Sequence, residues 1–223
     1  MNGANVLVIA PHPDDEILGV GGTVARLAAE GSAVTVVIVT MAGPPRFTPD
    51  VLETGRREAA LAHAELGVTR SLFLSFPAAG LDGVAHAELN AGLQEVFVDV
   101  DPDTVFVPFN GDMHVDHQLV FTSALVCSRP GTSFAPRSVY AYETLSETNW
   151  NAPYLTPNFA PNVFVDISDH LETKAAAMGH YASQLKAPPH ERSIEALRAL
   201  ATLRGATVGV AAAEAFVLVR DVR

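Results

Sequence analysis

Short apolar runs alternate with segments of helical spacing along the first 130 residues of this chain, and this alternation limits the fold more than any other feature. Parallel neighbours in a sheet need a crossover connection, which is usually a helix, and such connections are almost always right-handed. The alternation therefore predicts βαβ units. We expect an α/β fold made of one Rossmann-like, three-layer domain over residues 1–223, with a mostly parallel sheet.

The predicted elements follow from the apolar runs, their β-branched content and the glycines that end the helical segments. The first four strands are predicted at Val6–Ala10, Val34–Thr40, Leu72–Phe76 and Thr104–Pro108. The helices after them are predicted at Gly21–Glu30, Gly55–Leu66, Leu89–Asp99 and Asp116–Cys127. Later strands are predicted at Ser138–Tyr142, Val163–Asp166 and Phe216–Val219, and later helices at Asp169–Leu185 and Ser193–Leu203. No internal repeat, low-complexity tract or linker divides the chain.

The composition is typical of a folded, acidic protein. Hydrophobic residues make up 48% of the chain and charged residues 17%, which is too apolar for disorder. No apolar run approaches the ~18 residues of a membrane span, and a net charge of −11 disfavours nucleic acids and anionic membranes as partners. We expect a small-molecule partner, and the apolar balance permits a homo-oligomer. The start of the chain shows no basic region or cleavage site, and the single Cys127 cannot form an internal disulfide, which together favour the cytoplasm.

The loop after the first predicted strand is rich in acids, at the place where open parallel sheets bind their ligands. This first motif, Pro11–Glu16, contains a histidine and three consecutive acids. Carboxylates this close raise one another's pKa values unless a cation compensates, and a divalent metal is the simplest such cation. Only two residues separate His12 from Asp15, so that both can point at one ion from a single turn.

The loop after the fourth predicted strand supplies a second motif, Asn110–His117. It contains His114 and His117 with Asp116 between them, at the start of a predicted helix. Histidines and carboxylates are ligands for divalent metals and also groups that transfer protons. Because both motifs follow strands of one parallel sheet, we expect a metal site at the carboxyl ends of the strands.

Other uses of this location fit less well. Gly19, Gly21 and Gly22 do not match the dinucleotide fingerprint Gly-x-Gly-x-x-Gly, and the second strand ends in Thr40-Met41 without an acid for a ribose. We interpret the glycines as permitting close backbone approach. Neither a Gly-Lys-Ser/Thr phosphate loop nor a serine nucleophile elbow occurs, and Cys127 lies in an apolar helical stretch where we expect a core thiol.

The two motifs together resemble the signature pair of the PIG-L/LmbE-like family of zinc-dependent N-deacetylases, whose members act on N-acetylglucosaminyl conjugates. Both occur in the family's order and at roughly the family's spacing. Later stretches also resemble the family pattern, among them Tyr142-Glu143-Thr144 and Tyr181-Ala182-Ser183-Gln184. The first motif opens with Pro11 where the family usually has alanine, a departure that touches no ligand.

Carried over by position, the resemblance implies that His12, Asp15 and His117 bind one zinc ion per chain. Three protein ligands leave zinc an open position for water, which is the pattern of catalytic sites. The resemblance also implies that Asp14 is the general base that takes the proton from that water. Spacing alone does not distinguish the roles of Asp14 and Asp15.

The resemblance assigns to His114 the polarisation of the amide carbonyl or the protonation of the leaving amine, with Asp116 setting its charge state. An adjacent carboxylate favours the imidazolium, so we expect His114 to be cationic near neutral pH. For substrate binding, the residue types themselves point to Arg57 and Glu143 as hydrogen-bonding partners of sugar groups.

The activity implied is that of a zinc-dependent hydrolase that removes an N-acetyl, or similar acyl, group from an amino sugar such as an N-acetylglucosaminyl conjugate. Three alternatives stay open. The same site can cleave the amide of a sugar–thiol conjugate, as other members of the family do. Two histidines and one carboxylate also bind non-haem iron in oxygenases, although those enzymes usually have a β-barrel scaffold. A binding protein with an idle metal site is the third, although it would not need Asp14, His114 and Asp116.

Overall fold

The computed structural model describes residues 4–41 and 47–223, and the strands within these ranges form one sheet. The strands are β1 (Asn5–Ala10), β2 (Ala33–Met41), β3 (Arg70–Pro77), β4 (Thr104–Pro108), β5 (Ser138–Tyr142), β6 (Val163–Asp166) and β7 (Ala213–Asp221). The helices are α1 (Asp15–Ala29), α2 (Pro49–Leu66), α3 (His86–Val100), α4 (Val115–Cys127), α5 (Leu171–His180) and α6 (Ile194–Val208). A short 3₁₀ turn at Leu81–Gly83 precedes α3.

The strand order in the sheet is β3-β2-β1-β4-β5-β7-β6. β1 to β5 pair in parallel, and β7 is antiparallel to both of its neighbours. The prediction of a mostly parallel α/β sheet is therefore confirmed. From β1 the chain continues to β2 and β3 on one side of the sheet and then returns to β4 on the other side of β1. The loops after the adjacent strands β1 and β4 therefore lead in opposite directions. This point is where ligands bind in such sheets.

The core lies on both faces of the sheet, because successive residues of a buried strand point to opposite faces. Val6 and Val8 of β1 pack against the layer that contains α1, α2, α5 and α6. Leu7 and Ile9 of the same strand belong to a second cluster with α3 and α4. The two helical layers and the sheet between them confirm the predicted three-layer domain.

Several helix bounds differ from the predicted ones. α1 begins at Asp15 rather than at Gly21, because Asp14 occupies the N-cap with a φ of 108° and the chain turns directly into the helix. α2 begins at Pro49 rather than at Gly55, with the fixed φ of proline suited to the first helical turn. None of the helices within the described ranges is both long enough and apolar enough to cross a membrane.

Candidate metal centre and active site

The first motif forms a tight turn between β1 and α1 at the carboxyl edge of the sheet. The carbonyl of Pro11 accepts hydrogen bonds from the backbone N–H and the hydroxyl of Thr40, at 3.0 and 2.8 Å, which ties the turn to β2. The backbone N–H of His12 donates to Oδ2 of Asp15 at 2.9 Å. Asp14 holds a left-handed conformation that costs a non-glycine residue on the order of 1–3 kcal/mol, a strain that proteins concentrate at functional sites.

Three possible metal ligands converge where this turn meets the start of α4. Nδ1 of His12 and Nε2 of His117 each lie 3.2 Å from Oδ2 of Asp15. Asp15 and His117 are buried, and no hydrogen bond from the described residues satisfies Nε2 of His117. A buried ring nitrogen without a hydrogen bond beside a carboxylate is costly, and a cation bound between these atoms would satisfy both. The residues present therefore fit a divalent metal.

A second group of possible ligands shares His12 and adds His114 and Asp116, with donor atoms within 4.8 Å of one another. Nδ1 of His114 and both oxygens of Asp116 already have other partners. Nδ1 of His114 accepts the backbone N–H of Asp116 at 3.1 Å, and Asp116 accepts the backbone N–H groups of Ala79 and Leu81 at 2.7 and 3.1 Å. The geometry thus favours the first group as the metal centre.

Each histidine of this first group contacts a carboxylate through the ring nitrogen that faces away from Asp15. Nε2 of His12 lies 3.0 Å from Oδ2 of Asp116, and Nδ1 of His117 lies 2.8 Å from Oδ2 of Asp112. The other oxygen of Asp112 accepts the hydroxyl of Thr148 at 2.6 Å. Such carboxylates fix the ring orientation and the tautomer of metal-binding histidines, so that the inner nitrogen faces the metal as an acceptor.

The charges of the cluster favour a cation at its centre. Burial lowers the pKa of His12, but hydrogen bonds to Asp116 and Asp15 outweigh it and raise the pKa to about 9. Burial likewise opposes charging of His117, while the charge of Asp15 and the Asp112 bond raise its pKa to about 10. Burial of Asp15 raises its pKa, but the two histidines outweigh this effect and hold the pKa of Asp15 well below its usual range. Positive charge is therefore strongly stabilised here.

Asp14 is placed to exchange protons beside this centre. Its carboxylate is buried, and the residue lines the cleft. Its Oδ2 accepts no hydrogen bond from any residue that the structure describes. Burial and the negative charge of Asp15 raise the pKa of Asp14 well above its usual value. A carboxyl group with a raised pKa is suited to accept a proton near neutral pH.

His114 also lines the cleft, with its ring centroid 4.5 Å from that of His12. Burial and the charge of His12 lower the pKa of His114, although Asp116 acts in the opposite sense. This differs from the expectation that Asp116 keeps His114 cationic. The reason is that the Asp116 carboxylate points at His12 and at two backbone N–H groups, and only its backbone contacts His114.

A cleft of about 520 Å³ opens above the centre. One wall is apolar and comes from the end of β2 and the start of α2, with Met41, Phe47, Val51 and Leu52. A polar wall comes from the segments after β5 and α5, with Glu147, Ser183, Gln184 and Arg192. Pockets for small molecules combine apolar surface with a few polar groups in this way.

The two residues predicted to bind substrate lie elsewhere. Arg57 is exposed on α2 and is not among the described residues that line the cleft, whereas its neighbour Glu58 is. Glu143 accepts two hydrogen bonds from Arg204, at 2.7 and 2.6 Å. It is not among the described residues that line the cleft. The geometry does not support substrate contact by either residue. Arg57 points away from the cleft that Glu58 lines, because adjacent residues of a helix point in directions about 100° apart.

Three polar residues at the site were not predicted from the sequence. Asp112 belongs to the second motif, so its place beside two histidines was a usable signal. Glu147 and Arg192 follow β5 and α5 in segments without a recognisable motif, and no sequence signal places them in the cleft.

Comparisons with known proteins agree with this geometry. Residues 7–128 match the family model of GlcNAc-PI de-N-acetylase, PIG-L. The 1D-myo-inositol 2-acetamido-2-deoxy-alpha-D-glucopyranoside deacetylase of Saccharomonospora viridis is 30% identical over 234 aligned positions, which cover 82% of this chain and 86% of the relative. The crystal structure of the conserved protein TT1542 from Thermus thermophilus is 30% identical, with a TM-score of 0.78 over 98% of this chain and 96% of the other.

The N,N'-diacetylchitobiose deacetylase from Pyrococcus horikoshii shares the fold, with 24% identity and a TM-score of 0.77 over 97% of this chain and 84% of the other. The predicted family and the predicted class of enzyme, a hydrolase of N-acetyl amides, are confirmed by the family match and the curated relative. This chain belongs to the PIG-L, or GlcNAc-PI de-N-acetylase, family.

Proposed function

We propose that this protein is a zinc-dependent hydrolase, with one zinc ion per chain, that removes the N-acetyl group from an amino-sugar conjugate. The observation that carries the proposal is the cluster of His12, Asp15 and His117, which reaches the cleft through His12, with Asp14 lining the cleft beside it. Two imidazoles and one carboxylate are a donor set that zinc prefers, and three protein ligands leave a position open.

Zinc held by these residues would polarise the amide carbonyl and lower the pKa of water toward ~7. Asp14 then accepts the proton of the attacking water, for which its Oδ2, which accepts no hydrogen bond from the described residues, is available. His114 also lines the cleft, next to His12, and acts as the hydrogen-bonding partner of the carbonyl oxygen or of the leaving nitrogen. Asp116 and Asp112 hold the two ligand histidines in orientation.

The substrate class follows from the cleft and from the relatives. The curated relative acts on an acetamido-glucopyranoside of inositol, and the archaeal neighbour on diacetylchitobiose. A sugar ring fits the polar wall at Ser183 and Gln184, and the group attached to the sugar faces the apolar residues at the start of α2. We further propose a cytoplasmic location, because Cys127, the only cysteine, is buried and has no disulfide partner.

The experiment compares Asp14→Asn with wild type for acetate release from a panel of N-acetylglucosaminyl conjugates. Loss of a general base lowers the rate by about 10²–10⁴-fold, while the zinc content measured by mass spectrometry stays at the wild-type value. Asp50→Asn is the control, because Asp50 is an exposed carboxylate in the same cleft lining. A full rate in zinc-loaded Asp14→Asn protein contradicts the mechanism.

The same assay, with a sugar–thiol conjugate added to the panel, separates the alternative activities. A sugar–thiol conjugate amidase releases the larger acid and the amine but no acetate. An iron oxygenase consumes oxygen and loses activity under anaerobic conditions. Acetate and amine in equal amounts, formed without oxygen, are the result that we expect.

A further inference from the structure

The guanidinium of Arg192 lies between two carboxylates at the polar wall of the cleft. Its Nη1 is 3.4 Å from Oδ2 of Asp14, and its Nη2 is 3.4 Å from Oε1 of Glu147. Asp14 and Glu147 are both buried, and each has one carboxylate oxygen to which no described residue donates a hydrogen bond. Arg192 is therefore the cation that connects the expected base to a second acid of the cleft.

Several neighbours fix the orientation of this guanidinium. Nε of Arg192 donates to the hydroxyl of Ser146 at 2.9 Å, and Nη1 donates to Oε1 of Gln184 at 3.3 Å. The backbone is held as well, since the N–H of Arg192 donates to Nδ1 of His190 and its carbonyl accepts the N–H of Lys186, both at 3.0 Å. A planar fork restrained at several of its nitrogens directs its remaining N–H groups in fixed directions.

Asp14 needs such a partner more than an ordinary carboxylate does. It precedes Asp15 and Glu16 in sequence, and its own N–H is turned toward Oε2 of Glu16 at 3.2 Å. Repulsion from the two neighbouring acids pushes the Asp14 carboxylate away from them, and the attraction of Arg192 opposes free rotation toward solvent. We propose, on the basis of the hydrolase function above, that Arg192 is a positioning residue that holds the Asp14 carboxylate toward the attacking water.

A second arginine shows what a merely stabilising ion pair looks like in this protein. Arg204 binds Glu143 through two hydrogen bonds of 2.7 and 2.6 Å, and its side chain is 22% exposed against 24% for Arg192. Parallel two-point bonds of this kind are the strong form of the pair. Arg192 instead divides its donors over longer contacts to two acids. We expect loss of the Arg192 side chain to change kcat more than the melting temperature. Loss of the Arg204 side chain should change the melting temperature more than kcat.

The test uses the full chain loaded with zinc and the variants Arg192→Met, Arg192→Lys and Arg204→Met. We expect Arg192→Met to lower kcat for acetate release about 10- to 100-fold, with KM changed less than about threefold and zinc content unchanged. Arg192→Lys should recover part of kcat, because it restores the charge without the fork. Arg204→Met should keep the wild-type kcat and lower the melting temperature more than Arg192→Met does.

Crystal structures of zinc-loaded wild type and Arg192→Met provide a readout that does not depend on activity. We expect the Asp14 carboxylate to rotate away from the zinc site in Arg192→Met and to keep its place in Arg192→Lys. An unmoved Asp14, or equal kcat values for Arg192→Met and Arg204→Met, overturns the proposal. Absence of acetate release by wild type on every substrate would instead refute the proposed function, and the position of Asp14 would still decide the role of Arg192.

Discussion

Replacing Asp112 by asparagine is expected to weaken zinc binding by about 10- to 100-fold, which is the usual effect of removing a carboxylate behind a ligand histidine. Asp112 is fully buried and receives two donors, Nδ1 of His117 at 2.8 Å and the hydroxyl of Thr148 at 2.6 Å. Burial raises the pKa of Asp112, and the hydrogen bond from His117 opposes that effect. The pair therefore fixes His117 with Nδ1 protonated and Nε2 directed at the proposed metal site.

The magnitude follows from what asparagine can accept. Its side chain has one acceptor oxygen and one NH₂ group, so that either His117 or Thr148 must face a donor in place of an acceptor. The negative charge that strengthens the His117 bond is lost as well. A 10- to 100-fold weaker affinity corresponds to about 1.4–2.7 kcal/mol, since about 1.4 kcal/mol is a factor of ten.

The assay is competition of the metal-free protein with a chromophoric chelator at fixed pH, because zinc binding to histidines releases protons. Thr148→Val is the control, since it removes the other donor to Asp112 and leaves the carboxylate for His117. We expect its affinity to fall less than about fivefold. The reasoning would be refuted if the His117→Ala variant loses zinc while the Asp112→Asn variant binds zinc with an affinity within twofold of wild type.

Two further predictions concern stability. Gly19→Ala should destabilise the protein by about 1–3 kcal/mol in urea unfolding, because the added methyl group would overlap the buried ring of Tyr142. Gly179→Ala on α5 is the control: its methyl group meets open space, and it should stabilise the protein by up to about 1 kcal/mol. Equal effects of the two substitutions would contradict this prediction. Burial raises the pKa of Cys127 from 9.0 to about 11, so its contribution to stability is complete below pH 9.0 and is lost as the pH rises through about 11. The unfolding free energy of wild type relative to Cys127→Ala should therefore fall over this range, and a flat difference would show that the thiol is not shielded.

Both halves of the candidate metal centre could be proposed from sequence, because their residues lie in short motifs directly after apolar strands. His12 and Asp15 converge through one turn, which local spacing is sufficient to indicate. The role of Asp116 could not be predicted in the same way. Its sequence position next to His114 suggested a pair, but its carboxylate extends across the site to His12, 104 residues away in sequence.

The cleft itself depends on contacts that no local pattern specifies. Arg57 was expected there from its residue type, but the packing of α2 turns Glu58 inward instead. Arg192 reaches Asp14 from one irregular segment, and Glu147 reaches Arg192 from another, so their approach depends on how those segments pack over the edge of the sheet.

By itself the sequence determined the α/β class, the places of the buried strands and the two motifs, because hydrophobic periodicity and chemical spacing are local properties of a chain. Only the tertiary structure decided that β4 lies beside β1, which brings His117 within 3.2 Å of Asp15. It also decided which cation faces Asp14. The physical reason is that strand order and loop packing minimise the free energy of the whole chain, through burial and ion pairing between residues far apart in sequence.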